Sequence, residues 1–355
     1  MKKTARRPSI SHLAWGPEAT ADDTGDHELA IGVDLGATNL KVALVDYRGE
    51  ICGRREAPTR PERGPDSVIA DIAGLAEQLI VGVGAASSDI SRRAQIVGLG
   101  IGSPGPLDLV NGRILRAANL PGWVDVPMRD ALATRLGVPV VLDNDANAAA
   151  LGEYWASDLR GDMQSDLVLL TLGTGIGAGA IIDGRLFHGH FGNAAEIGHT
   201  IVVLDGRPCP CRQRGCLEAY SSAISVVRRT IELIRNGEAC ALGHRIKAGE
   251  AIEASDVAAA AGKGDSVCER VWDDACRFLA TACVNIQHMF NPATIVFAGG
   301  MAQAGEMLLG RVQSHFGRLI GSIHTGRPTL RLSSLGLDAG VIGAARMVWE
   351  KANER

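Results

Sequence analysis

The chain has 355 residues, 46% hydrophobic and 21% charged, which is the length of two ordinary domains and the apolar content of a globular protein. A formal charge of −4 and only 4% aromatic residues argue against nucleic-acid binding, which needs a concentrated basic face and stacking rings. No run approaches the roughly 18 consecutive apolar residues of a membrane span, and the start, MKKTARRPSISHLAWGPEATADDTGDHE, lacks the apolar core of a signal peptide. A soluble, cytoplasmic protein with no membrane or nucleic-acid partner is expected.

Residues 1–28 mix Pro, Ser, Thr, Asp and both charge signs without period and are expected to form a disordered tail. Order begins at Leu29, where LAIGVDLGATNLKVALVDYRGEI places two β-branched apolar runs around a glycine turn. Residues 54–63 are rich in Pro and Arg and read as a loop; DSVIADIAGLAEQLI (66–80) has apolar residues at helical spacing. QIVGLGIGSPGPLD is a buried strand entering a Gly-Pro loop. After NLPGW (119–123) come a short helix, MRDALATRLG, a strand, VPVVLDND, and a helix, ANAAALGEYW. LVLLTLGTGIGAGAIIDGRLF then repeats the opening hairpin. DLGATNLKVALVD (34–46) and TLGTGIGAGAIID (171–183) share Leu, Gly, Ala and Asp at the same offsets, which suggests a duplicated domain with a phosphate turn in each copy and a cleft between. Two helical stretches, the strand ATIVFAGG, the helix GEMLLGRVQSHFGRLI and a last helix, AGVIGAARMVWEKANE, complete an α/β alternation.

Gly173-Thr174-Gly175-Ile176-Gly177-Ala178 matches the dinucleotide pattern G-x-G-x-x-A in form only, because a strand follows it where that fingerprint requires a helix. A glycine turn binds phosphate when bare N–H groups converge on the anion with no Cβ in the way, and either turn alone is equally a simple hairpin. Asp34 ends the first strand directly before its turn, where a carboxylate can hold Mg²⁺ while Gly36, Thr38 and Asn39 offer donors to phosphates. DNDAN (143–147) puts four polar side chains where a strand hands over to a helix, more than capping requires, and a carboxylate there can take a proton from a hydroxyl nucleophile.

Three of the eight cysteines, Cys209, Cys211 and Cys216, fall within eight positions, and His199 lies upstream. That Cys₃His set suits structural zinc, closed by four protein ligands. Such a knot would fix Glu196 and Glu218 relative to one another, and paired carboxylates accept hydrogen bonds from vicinal sugar hydroxyls. His188 and His190 read as ordinary surface or core histidines.

DLGATN, GIGSPGPLD, NLPGW, LDNDANAAALGE, LGTGIGAGAIIDG, the E-x-G-H at 196–199 and the C-x-C followed by G-C-L-E together resemble the ROK family of sugar kinases and repressors, most closely its glucokinase members. The likeness runs from about Leu29 to the C-terminus. It implies an RNase H-like, actin-like ATPase fold: an N-terminal α/β domain (29–142) joined by the C-terminal helix (339–355), and a C-terminal α/β domain (143–338) carrying the zinc motif (199–216), around a central cleft. It implies phosphorylation of glucose at the 6-hydroxyl by Mg-ATP, with polyphosphate an alternative donor, or of another hexose such as N-acetylmannosamine, N-acetylglucosamine or fructose, in a homodimer; a non-catalytic sugar-sensing member of the family is the alternative of a different class. Asp145 matches the catalytic base; Asn119, Asn144, Asp145, Glu196, His199 and Glu218 match sugar contacts. Asp34, Gly36, Thr38, Asn39 and Lys41, with Gly173, Thr174, Gly175 and Gly177, match the two phosphate loops, and Gly299 and Gly300 match the loop near the nucleoside. The family usually has Gly directly after the second cysteine, where this chain has Arg212; zinc is nevertheless expected, since all four ligands are present. The 28 residues ahead of Leu29 are too few for the winged helix-turn-helix of the family's repressors.

Overall fold

The computed structural model describes residues 28–86, 95–117, 119–156 and 165–353. The expected tail lies outside these residues apart from Glu28, which opens the first strand.

The first half contains β1 (Glu28–Leu35), β2 (Asn39–Asp46), β3 (Ile51–Pro58), α1 (Pro65–Ala86), β4 (Gln95–Ser103), the short β5 (Leu107–Asp108), β6 (Arg113–Arg116) and β7 (Val124–Val126), then α2 (Met128–Leu136), β8 (Val140–Asn144) and α3 (Asp145–Ala156). The second contains β9 (Leu167–Leu172), β10 (Ile176–Ile182), β11 (Arg185–Leu186), α4 (Glu218–Ser221), α5 (Ala223–Arg235), α6 (Gly243–Lys247), α7 (Ala254–Gly262), α8 (Ser266–Phe290), β12 (Thr294–Ala298), α9 (Glu306–Leu319), β13 (Thr329–Leu332) and α10 (Ala339–Asn353). Among the described residues no helix is long and apolar enough to cross a membrane.

Two five-stranded sheets have the same plan. The first runs β3-β2-β1-β4-β8 and the second β11-β10-β9-β12-β13; in each, an antiparallel hairpin continues into parallel strands. β1 ends at Leu35 and β9 at Leu172, while β2 begins at Asn39 and β10 at Ile176, so the two hairpins keep the register that their sequences share. β5, β6 and β7 form a separate small sheet.

Residues 54–58, expected to be loop, are the outer half of β3. Arg55 pairs with Val42 and Glu56 with Lys41, so backbone hydrogen bonds hold the segment while its charged side chains face solvent. Charges on an edge strand discourage pairing with another molecule, and they also erase the apolar alternation by which a strand is recognised. β8 extends the first sheet to Asn144, and the chain leaves it at Asp145 to enter α3.

α3 and α10 cross between the sheets in backbone contact. A Cβ at Gly343 would stand 1.7 Å from the Ala148 carbonyl oxygen, and one at Gly152 would stand 2.2 Å from that of Ala339. α10 lies equally close on the first sheet, where a Cβ at Gly32 or Gly100 would fall within 2 Å of the Val341 or Ala344 carbonyl oxygen. These positions accept only glycine, so they fix how closely the last helix packs on the first sheet. The buried Glu153 carboxylate reinforces the crossing by accepting from the Ser333 hydroxyl at 2.7 Å and the Ser334 N–H at 2.8 Å, just ahead of α10.

Candidate active site

The carboxyl end of β8 carries Asp143, Asn144 and Asp145 into the first turn of α3. The Asn144 Oδ1 caps the helix by accepting from the N–H groups of Ala146 at 2.9 Å and Asn147 at 3.3 Å. Asp143 is buried; its Oδ1 accepts from the Asn144 N–H at 2.7 Å and the Asn147 side-chain amide at 2.9 Å. Capping and support thus fall to Asn144 and Asp143. Asp145 accepts at 2.9 Å from the Ala146 N–H, and its own N–H and the Asn144 side chain also favour its charged form. Burial outweighs these hydrogen bonds and raises the Asp145 pKa.

Asp34, at the end of β1, is close enough to Asp145 for the two charges to interact. Burial first and the Asp145 charge second push the Asp34 pKa up to about 6, against the opposing pull of Lys41. The Lys41 ammonium donates to the Leu337 carbonyl at 2.8 Å, on the stretch leading into α10. The adjoining turn is closed by a 3.0 Å hydrogen bond from the Gly36 N–H to the Asn39 carbonyl, and Thr38 and Asn39 stand exposed at its tip.

The second turn approaches from the other sheet. Gly173 N–H donates to the Gly175 carbonyl at 3.0 Å, Thr174 is exposed, and Gly177 sits where a Cβ would be 3.0 Å from the Ala146 Cβ, next to Asp145 in sequence. Glu218 Oε2 accepts from the Ile176 N–H at 2.9 Å. A Cβ on Gly198, in the E-x-G-H motif, would lie 2.0 Å from the Ile176 carbonyl oxygen. The motif needs its glycine because it packs directly on the second glycine turn. Ala195 reaches φ +62 as the chain turns into Glu196. Glu196 still reaches solvent, yet its pKa is raised by burial and by the charges of Asp145 and Glu218, with His199 opposing. Gly299, at φ +90, would place a Cβ 2.7 Å from the Leu172 carbonyl oxygen, so it can abut the strand end that feeds the second turn. Asp34, Asp145, Glu196, His199 and Glu218 therefore converge between the two glycine turns. No described contact ties Asn119 to them; it is exposed on the turn leading to the buried Leu120 and Trp123.

His199, Cys209, Cys211 and Cys216 hold their ligand atoms within 4.8 Å of one another. The His199 Nδ1 is 3.6 Å from the Cys209 sulfur, and the Cys211 and Cys216 sulfurs are 3.6 Å apart. Zn–S bonds of about 2.3 Å at tetrahedral angles place sulfurs about 3.8 Å apart, so donor set and spacing fit zinc. Arg212 adopts φ +75, the left-handed conformation that glycine takes without strain. A second group, Cys240, Asp265 and Cys268, differs: both Asp265 oxygens already accept backbone N–H groups, from Ala241 and Cys268.

Beside the second turn opens a chamber of about 1100 Å³, entered past Gly173, Thr174 and Gly300 and walled by Val227 and Ile231 of α5, Ala258 of α7, Trp272 of α8, and Met301 and Met307. No motif marks these residues. They are apolar positions on helices, and only the fold brings them together.

Residues 30–351 match the model of the ROK family. The chain belongs to the ROK family. A glucokinase of Halalkalibacterium halodurans is 35% identical over 324 residues, covering 91% of this chain and 96% of its own length. An N-acetylmannosamine kinase of Escherichia coli is 29% identical over 315 residues, 89% of this chain and 96% of that one. The crystal structure of a ROK family glucokinase from Streptomyces griseus, in complex with glucose and AMPPNP, superposes with a TM-score of 0.77 at 32% identity, over 91% of this chain and 99% of that one. The repeated sheet plan and this likeness give the ROK chain its two RNase H-like α/β domains around a cleft, the fold of actin-like ATPases and hexokinases.

Proposed function

We propose that this ROK chain transfers the γ-phosphoryl group of ATP to the 6-hydroxyl of glucose, giving glucose 6-phosphate and ADP. One observation carries the reading. Asp145 is a carboxylate with raised proton affinity at the start of a helix that Asn144 already caps, standing between two glycine turns from two copies of the same hairpin. A general base works best with its pKa drawn toward the operating pH, and Asp145 is placed to accept the hydroxyl proton as the oxygen attacks phosphorus.

In this reading Glu196, His199, Glu218 and Asn144 accept or donate to the sugar hydroxyls, with Asn119 reaching in from the first domain. Gly36, Thr38 and Asn39 meet the phosphates from one side and Gly173, Thr174, Gly175 and Gly177 from the other. Phosphoryl transfer needs positioning and charge stabilisation more than covalent chemistry. Asp34, a partly buried carboxylate beside another carboxylate, is the residue to hold Mg²⁺, which when bound neutralises phosphate charge. Lys41 lies beside it. The chamber past Gly300, largely apolar with Arg228 and Glu232 also on its wall, suits a nucleoside, which supports ATP over a donor made of phosphates alone. His199, Cys209, Cys211 and Cys216 would hold one structural zinc, bracing Glu196 and Glu218. The homodimer implied by the resemblance completes the proposal; light scattering at twice the chain mass would agree with it.

N-acetylmannosamine is the second reading, favoured by the relative from Escherichia coli. ADP release from Mg-ATP with glucose, mannose, fructose, N-acetylglucosamine, N-acetylmannosamine and allose separates the two, and a parallel series with polyphosphate tests the donor. Fastest turnover with glucose and ATP is expected. Preference for an N-acetyl sugar would keep the mechanism and replace the substrate, and silence with every sugar would overturn the kinase.

A further inference from the structure

His188 stands on the loop after β11, in the second domain, yet its Nε2 lies 2.6 Å from the Asp143 Oδ2 at the end of the first sheet. An ionised carboxylate only accepts, so Nε2 carries the proton. The Asp143 side chain is 8% exposed, and its other oxygen is already taken by the Asn144 N–H and the Asn147 amide. Those two donors belong to the turn itself; His188 comes from 45 residues further on. The loop that carries it is closed by a 3.0 Å hydrogen bond from the Ala194 N–H to the His188 carbonyl, and Glu196 follows. One imidazole therefore joins the turn presenting Asp145 to the loop presenting Glu196.

We propose that His188 is a positioning residue, whose hydrogen bond to Asp143 sets the base Asp145 in register with the sugar-binding face of the other domain. The inference rests on the reading of Asp145 as the base. Without His188 the Asp143 Oδ2 is left buried and unsatisfied, and the turn can recover only by shifting toward water. Asp145 is two residues along that turn. A base displaced by a fraction of an ångström still leaves the sugar contacts of Glu196 and Glu218 in place, so turnover should suffer more than sugar binding.

The test compares the full-length wild type with His188→Ala, His188→Gln, Asp143→Asn and the double variant Asp143→Asn/His188→Ala, measuring kcat, the KM for glucose, the KM for ATP and the melting temperature. His188→Ala is expected to lower kcat about 10- to 100-fold, with glucose KM held within about threefold. His188→Gln, whose amide can donate to Oδ2, should recover most of kcat. The double variant should be little worse than either single one. Unchanged kcat in His188→Ala would overturn the proposal. So would a fall in melting temperature with kcat intact below it, or a loss of kcat that glutamine does not restore, since either describes support of the fold alone. Nitrogen-15 spectra of the histidines read the pair without turnover: the Nε2-protonated form should be present in the wild type and lost or shifted in Asp143→Asn, and identical spectra would also overturn it. Failure of the base reading looks different, because then Asp145→Asn would itself turn over normally.

Discussion

Replacing Asp34 by Asn should make the protein more stable and less active. In the native state its pKa is raised from 3.8 to about 6, chiefly by burial and then by the Asp145 charge. Between those two values the native state holds a proton that the unfolded chain releases, so stability falls as pH rises through this window, and the whole penalty is present above it. A shift of about two units at about 1.4 kcal/mol each makes that penalty on the order of 3 kcal/mol near pH 7.5, and about half as much near pH 5. An uncharged isostere carries no such penalty. With a urea m-value of about 3 kcal/mol/M, the unfolding midpoint of Asp34→Asn should move up by about 1 M near pH 7.5 and by clearly less near pH 5. In the wild type, Mg²⁺ with ATP should recover part of the difference, because a cation at Asp34 stabilises the charged form, and the variant should not respond. Glucose turnover should fall steeply. Equal midpoints at both pH values, or a gain that does not depend on pH, would refute the argument that Asp34 stores electrostatic strain for cation binding.

Arg212 and Ala195 hold left-handed φ values of +75 and +62, so Arg212→Gly and Ala195→Gly should each raise the thermal midpoint, by about 1 kcal/mol in free energy; a lower midpoint would mean that the side chain contributes more than the strain removes. Gly198→Ala places a Cβ 2.0 Å from the Ile176 carbonyl oxygen and should lose both stability and activity. Gly74→Ala, in α1 with nothing within 4 Å of the added carbon, should gain roughly 0.5–1 kcal/mol; similar effects in the two variants would contradict the packing of the motif on the turn. Elemental analysis should find about one zinc per chain, and Cys216→Ser should lose it together with glucose affinity, through Glu196 and Glu218; full affinity without zinc would separate the metal from the sugar site.

Much of this arrangement was legible in sequence because local chemistry dictates it. Paired apolar runs around Gly36 and around Gly173 specify hairpins, and the shared offsets reveal the repeat. DNDAN announces both a strand end and a surplus of polar groups, and the clustered cysteines mark the loop whose thiols gather beside His199. β3 was hidden because an exposed edge strand carries Arg54, Arg55 and Glu56 where alternation would show apolar residues. β5, β11 and β13 are two to four residues long and take their conformation from their neighbours. The chamber depends on helices of the second half that meet only in the fold, and the Asp143–His188 bond joins residues of the two halves, so neither shows in the local sequence. His188 looked ordinary for that reason: a lone histidine declares nothing until the carboxylate opposite it is known.

The central claim is that Asp145 accepts the sugar proton. Asp145→Asn preserves shape and the N–H contact of the turn while removing the basic oxygen, so the decisive measurement is kcat with glucose and Mg-ATP alongside glucose binding by calorimetry. A fall in kcat on the order of 100- to 10,000-fold, with glucose affinity nearly unchanged, is the predicted result. Turnover close to wild type with the same affinity would contradict it.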